Sequence, residues 1–221
     1  MDFVEACTNG KVFGDGDNVT MQQIEFHRYR GFRMACAKGH IKTVSYLLTF
    51  NIPKYVIWRG LIKAIQFDHI GVVHCLLNDS RCDPSLCNNH AIKMAVSRGQ
   101  VATCSALLNQ HGVGPNVRNG ELYDIAIRKN DIYIFVILLS DKSSTPGKYL
   151  PKLLETISKF DSTTGNRYLR MLMQHKDAQQ HLTYEQFWSH NIAIMGIHNI
   201  LYFPPPLVWG LILFRIMFKS S

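Results

Sequence analysis

Apolar positions recur in four blocks along the chain, separated by polar, turn-rich stretches. Each block pivots on an alanine, at Ala35, Ala64, Ala95 and Ala126, so the blocks repeat at intervals of 29, 31 and 31 residues. A Leu-Leu pair follows each alanine twelve and thirteen positions on: Leu47-Leu48, Leu76-Leu77, Leu107-Leu108 and Leu138-Leu139. Apolar residues three before the alanine (Phe32, Leu61, Ile92, Tyr123) complete one face of a short helix. Four positions after the alanine stand Gly39, Asp68, Gly99 and Asn130. These residue types tolerate the left-handed backbone that stops a helix. Apolar residues eight, nine, twelve and thirteen after the alanine then form an i, i+4 stripe, the mark of a second amphipathic helix. Each block therefore predicts a helix–turn–helix. Two short helices cannot bury an apolar face alone, so the blocks are expected to stack.

The stretches between blocks (49–58, 78–89, 109–120 and 140–149) hold the turn residues, such as Asn51 and Pro53, Asp83-Pro84 and Asn88-Asn89, Gly114-Pro115 and Asn119-Gly120, and Pro146-Gly147. They read as projecting loops. Residues 1–28 echo a block through Ala6 and Gly10, then break at the polar cluster Asp15, Asp17 and Asn18. They read as a degenerate N-terminal capping unit with a loop insertion. A fifth, divergent unit fits Leu150 to Leu172, with Ile157 in the alanine place and Met171-Leu172 in the Leu-Leu place. The repeats are thus expected over residues 29–175, followed by a C-terminal extension, 176–221. Its residues 192–218 are strongly apolar around Pro204-Pro205-Pro206. The last apolar run is shorter than a spanning helix needs. It is expected to cap the apolar edge of the last repeat, to associate with a membrane, or to serve as a partner-binding peptide.

The segment Ala35 to Leu48, with its Gly39-His40 turn, Val44 and Leu47-Leu48, resembles the ankyrin repeat. The stretch from Leu76 to Ala95 resembles the divergent ankyrin repeats of large DNA viruses and their amoebal hosts. The resemblance implies an all-α ankyrin-repeat solenoid and a non-enzymatic scaffold for protein–protein interaction. In the family the loop tips and the open face of helix one contact partners. The family's Thr-Pro-Leu-His opening is absent, so the array is expected to be less stable than a consensus one, with helix starts the sequence does not fix. His40 and His69 occupy the family's turn-histidine place, where a histidine satisfies loop carbonyls. Separately, Leu150 to Ile157 resembles the opening of an F-box, which implies a ubiquitin-ligase adaptor as an alternative.

The formal charge of +8 raises the question of anionic partners. The basic residues are dispersed and no nucleic-acid recognition motif is present, which disfavours nucleic acid as partner. No catalytic signature occurs, so no enzyme activity and no cofactor are expected. Cys82, Cys87 and His90 lack a fourth ligand close in sequence, so no metal site is expected. The six cysteines without a C-x-x-C pair, behind an N-terminus without a signal peptide, point to free thiols and a cytoplasmic, monomeric protein. Two and three places after each alanine stand Ala37-Lys38, Gln66-Phe67, Ser97-Arg98 and Arg128-Lys129, with no acid among them. This row suggests a basic groove with one aromatic anchor, suited to an acidic segment of another protein. The candidate binding residues are Lys38, Phe67, Arg98, Arg128 and Lys129 on helix one, Arg59 and Arg118 near its start, and Asp83 and Asn88 in a loop.

Overall fold

A computed structural model describes residues 2–13, 17 and 19–181. The chain divides into two units, Met1–Ser144 and Thr145–Ser221. Every regular element among the described residues is a helix. Asp15 and Asn18, and the apolar stretch 192–218, lie outside the described residues.

The first unit runs α1 (Phe3–Thr8), α2 (Met21–Lys38), α3 (Ile41–Leu48), α4 (Lys54–Gln66), α5 (Ile70–Leu77), α6 (Leu86–Ser97), α7 (Val101–Leu108), α8 (Val117–Arg128) and α9 (Ile132–Ser140). The alanines lie on α2, α4, α6 and α8, which pack on one another in chain order. The Leu-Leu pairs lie on α3, α5, α7 and α9, which do the same, and each alanine helix also packs on the helix that follows it. The four pivot alanines, the residues nine after them (Val44, Val73, Cys104, Phe135) and the first leucine of each pair are fully buried. An alanine at the pivot leaves room for the neighbouring helix, so its size rather than its polarity is what the position requires.

The turn between the two helices of a pair is built the same way each time. Gly39, Asp68, Gly99 and Asn130 take left-handed φ of 79°, 59°, 70° and 54°. The next residue's N–H then bonds back to the pivot alanine's carbonyl: His40 to Ala35 (3.0 Å), His69 to Ala64 (2.9 Å), Gln100 to Ala95 (3.0 Å) and Asp131 to Ala126 (2.9 Å). This is the bond that satisfies an orphan carbonyl at a helix end. The N-terminal echo does likewise, with Gly10 at φ 75° and Lys11 N–H on the Ala6 carbonyl at 2.9 Å.

The starts of the alanine helices differ. Thr20 caps α2 in a capping box with Gln23, and Arg28 and Tyr29 inside it take left-handed φ of 56° and 60°. Pro53 precedes α4, which then runs on without a left-handed residue until Asp68. Three consecutive left-handed residues, Cys87, Asn88 and Asn89, interrupt α6, and Asn119 with Gly120 does so in α8.

The second unit contains a short 3-10 turn (Pro146–Tyr149), α10 (Leu150–Ile157), α11 (Ser162–Gln174) and α12 (Lys176–His181). Leu153, Leu154 and Ile157 of α10 and Tyr168, Leu169 and Leu172 of α11 form its apolar core. Asp161 caps α11, its carboxylate accepting from the Thr163 and Thr164 N–H groups at 3.0 Å each. The Asp177 carboxylate accepts from the Gly147 N–H at 2.7 Å and ties α12 to the 3-10 turn. No helix among the described residues is long and apolar enough to cross a membrane.

Candidate protein-binding face

Burial of the pivot face leaves the far end of each alanine helix in solvent. Lys38, Phe67, Arg98 and Lys129, all three places after their alanines, are exposed, as is Arg128. Because α2, α4, α6 and α8 pack side by side in order, these residues recur at one place along a row. Phe67 is 51% exposed, a large apolar surface left in water. Lys63 lies over its ring at 5.8 Å from the centroid and donates to the Gln66 carboxamide oxygen at 2.9 Å. A cation held over an aromatic face adds a modest attraction and orients both groups.

The turns beneath this row are held by a ladder from pair to pair. His40 Nε2 donates to the Thr8 carbonyl (2.8 Å), His69 Nε2 to the Ala37 carbonyl (3.0 Å) and Gln100 Nε2 to the Ile65 carbonyl (2.8 Å). Each side chain thus closes a carbonyl of the preceding pair that helix geometry leaves open. The same contact fixes glycine at Gly10 and Gly39. Besides their positive φ, a Cβ there would lie 2.6 Å from the ring of His40 or His69. The two turn histidines therefore satisfy backbone carbonyls, though these belong to the ends of α1 and α2 rather than to loops.

One expectation about the face needs correction: the position two after the alanine is not open throughout, since Ala37 is buried. Acids lie beside the row, though none stands in it. Asp124, four before Arg128 on α8, pairs with it at 2.7 Å, and Glu121 pairs with Lys93 of α6 at 2.5 Å. The Asp124–Arg128 spacing is legible in sequence as an i, i+4 pair. The Lys93–Glu121 pair joins neighbouring alanine helices, α6 and α8, and becomes visible only once the helices are set side by side.

Arg59 is exposed on α4, Asp83 is exposed in the loop before α6, and Asn88 is exposed in the left-handed run inside α6 rather than in a loop. The Asp83 carboxylate is engaged locally, accepting from the Ser85 N–H (2.9 Å) and hydroxyl (2.6 Å). The side chain of Arg118 lies outside the described residues. Sequence reasoning missed Arg81 altogether. Its guanidinium donates to the carbonyls of Leu48 (2.6 Å) and Phe50 (2.8 Å), which belong to the preceding pair, and pairs with Asp79 at 2.6 Å. The Arg81 hydrogen bond holds the Asp79 carboxyl below its ordinary value, against the opposing effect of burial. This clamp fastens a loop, whose conformation bears on the exposed residues that follow it.

The cysteines are all free thiols. Burial pushes Cys7, Cys82 and Cys104 up to about 12, so they stand protonated at neutral pH and serve as small apolar groups. Among the described residues no three His, Cys, Asp or Glu side chains converge as a metal site would require. No family model, curated protein or solved structure matches the chain.

Proposed function

We propose that the helix pairs are divergent ankyrin repeats stacked as a solenoid, and that the chain is a scaffold binding another protein through the open ends of its alanine helices and its loop tips. What supports this reading is the row Lys38, Phe67, Arg98 and Lys129: one place in each pair, exposed in all four, and different in chemistry from pair to pair. A position that packing leaves free can carry recognition without cost to the core. An exposed aromatic flanked by cations fits the anchor of a protein interface better than a purely solvating surface does. The test is affinity capture from eukaryotic cell extract with the full chain and with a Phe67→Ala/Arg98→Glu variant whose circular dichroism matches it. A specific partner captured by the parent and reduced at least tenfold by the variant is the expected result. Equal capture by both would remove the helix-end row from the binding surface.

A further inference from the structure

The charge on the four alanine helices is graded along the stack. On α2, Arg28, Arg30, Arg33 and Lys38 stand against Glu25 alone, and on α4, Lys54, Arg59 and Lys63 face no acid. Counted through the place three after each alanine, α6 carries Lys93 and Arg98, and α8 carries Arg118, Arg128 and Lys129 against Glu121 and Asp124. The excess of basic residues is therefore three, three, two and one from α2 to α8. Among the cations of α6 and α8, Lys93 is paired with Glu121 and Arg128 with Asp124. By contrast Arg30, Arg33 and Arg59 have no ion-pair partner among the described residues. The Arg33 Nε–H is buried without an acceptor. The exposed guanidinium groups of Arg30 and Arg59 are the ones open to a ligand that brings an oxygen acceptor.

Resting on the scaffold reading above, we infer that the partner segment is a short acidic peptide that lies across α2 and α4, with an apolar side chain against Phe67, and stops short of α8. The spacing supports an extended peptide. Packed helices stand about 8–10 Å apart, and an extended chain covers about 10 Å in three residues. Carboxylates three residues apart would thus meet the cations of successive helices. The small basic excess on α8 also disfavours a long polyanion. A nucleic acid carries charge at every step and would run on over α8, where Arg128 is already paired with Asp124, whereas a short acidic segment ends before it.

The probe is a fluorescein-labelled twelve-residue peptide with aspartate at every third position and one central leucine, measured by anisotropy at low salt on the full chain. Its comparators are the same peptide with asparagine for aspartate, and a single-stranded oligonucleotide of similar charge. The acidic peptide is expected to bind at least tenfold more tightly than either comparator. Arg59→Glu and Arg33→Gln are each expected to weaken it about tenfold, and Lys142→Glu, at an exposed lysine outside the row, less than twofold. Binding no tighter than the asparagine peptide, an equal loss from Lys142→Glu, or tighter binding of the oligonucleotide would each overturn the inference. Its failure is separable from that of the scaffold reading. A cellular partner that crosslinks through a photoreactive residue at position 67, yet is not displaced by the acidic peptide, leaves the scaffold standing and removes the acidic segment. Peptide binding at α2 and α4 with no cellular partner captured does the reverse.

Discussion

The second and third helix pairs are alike after the pivot alanine and unlike before it. After Ala64 and Ala95 both chains stop in a left-handed residue, return an N–H to the alanine carbonyl, and bury the same positions of the following helix. Before the alanine, α4 runs in from Pro53 as continuous helix, whereas α6 is approached through three left-handed residues. The difference separates two kinds of constraint. Downstream positions are held by contact with the pairs on either side, so one solution serves all. Upstream positions are governed by the local loop, so each loop finds its own way into the helix.

If that division is right, truncating the downstream core should cost the two pairs equally. Leu76 and Leu107 are both fully buried, twelve after their alanines. Leu76→Ala and Leu107→Ala are each expected to destabilise by about 3–4 kcal/mol, read as a lower urea midpoint by circular dichroism. Costs that differ by more than about 1 kcal/mol would show that the pairs are not equivalent even where their geometry coincides.

A smaller effect should set the pairs apart. Arg81, in the loop after the second pair, clamps the end of α3, while the corresponding place after the third pair, seventeen beyond its alanine, is Gly112. Arg81→Ala is expected to cost roughly 2 kcal/mol, because it leaves the Leu48 and Phe50 carbonyls short of a charged donor. The cost should depend on pH. A carboxyl held low by its partner, as Asp79 is, contributes stability above its unfolded value of about 4 and loses it as pH falls through the folded value. The difference between parent and Arg81→Ala should therefore narrow below about pH 4. A pH-independent difference would mean that the carbonyl bonds, and not the Asp79 pair, carry the clamp.

How much of this was legible in the sequence follows the same division. The left-handed stops were readable because Gly39, Asp68, Gly99 and Asn130 fall at one offset from the alanine and belong to residue types that tolerate that backbone. The buried stripe of the second helices was readable because their apolar residues recur at helical spacing. The left-handed residues Arg28 and Tyr29 in α2 and Cys87 in α6 were not, since their types do not announce a positive φ, whereas Asn119 and Gly120 in α8 already stood among the turn residues. The candidate row at Lys38, Phe67, Arg98 and Lys129 was read as exposed, and it is. The Lys93–Glu121 pair beside it was not legible, because it depends on which helices are neighbours, and local sequence does not record that.

Cys87 offers the finest test of the upstream difference. It is exposed, with φ 54°, and it is the first of three residues in a conformation that costs an ordinary side chain roughly 1–2 kcal/mol. Glycine adopts that backbone freely but gives back about 1 kcal/mol in chain entropy. Cys87→Gly is thus expected to stabilise by about 0.5–1 kcal/mol, a small rise in the urea midpoint. The matching position in the second pair, eight before its alanine, is Val56, which is helical and buried. Val56→Gly should move the midpoint the other way, because it removes apolar contact and puts glycine inside a helix. Opposite signs at these matched positions would establish that the two pairs enter their first helix by different backbones. A loss of stability at both would mean that the left-handed run is not the native approach to α6, and that the loops as well as the cores follow one design.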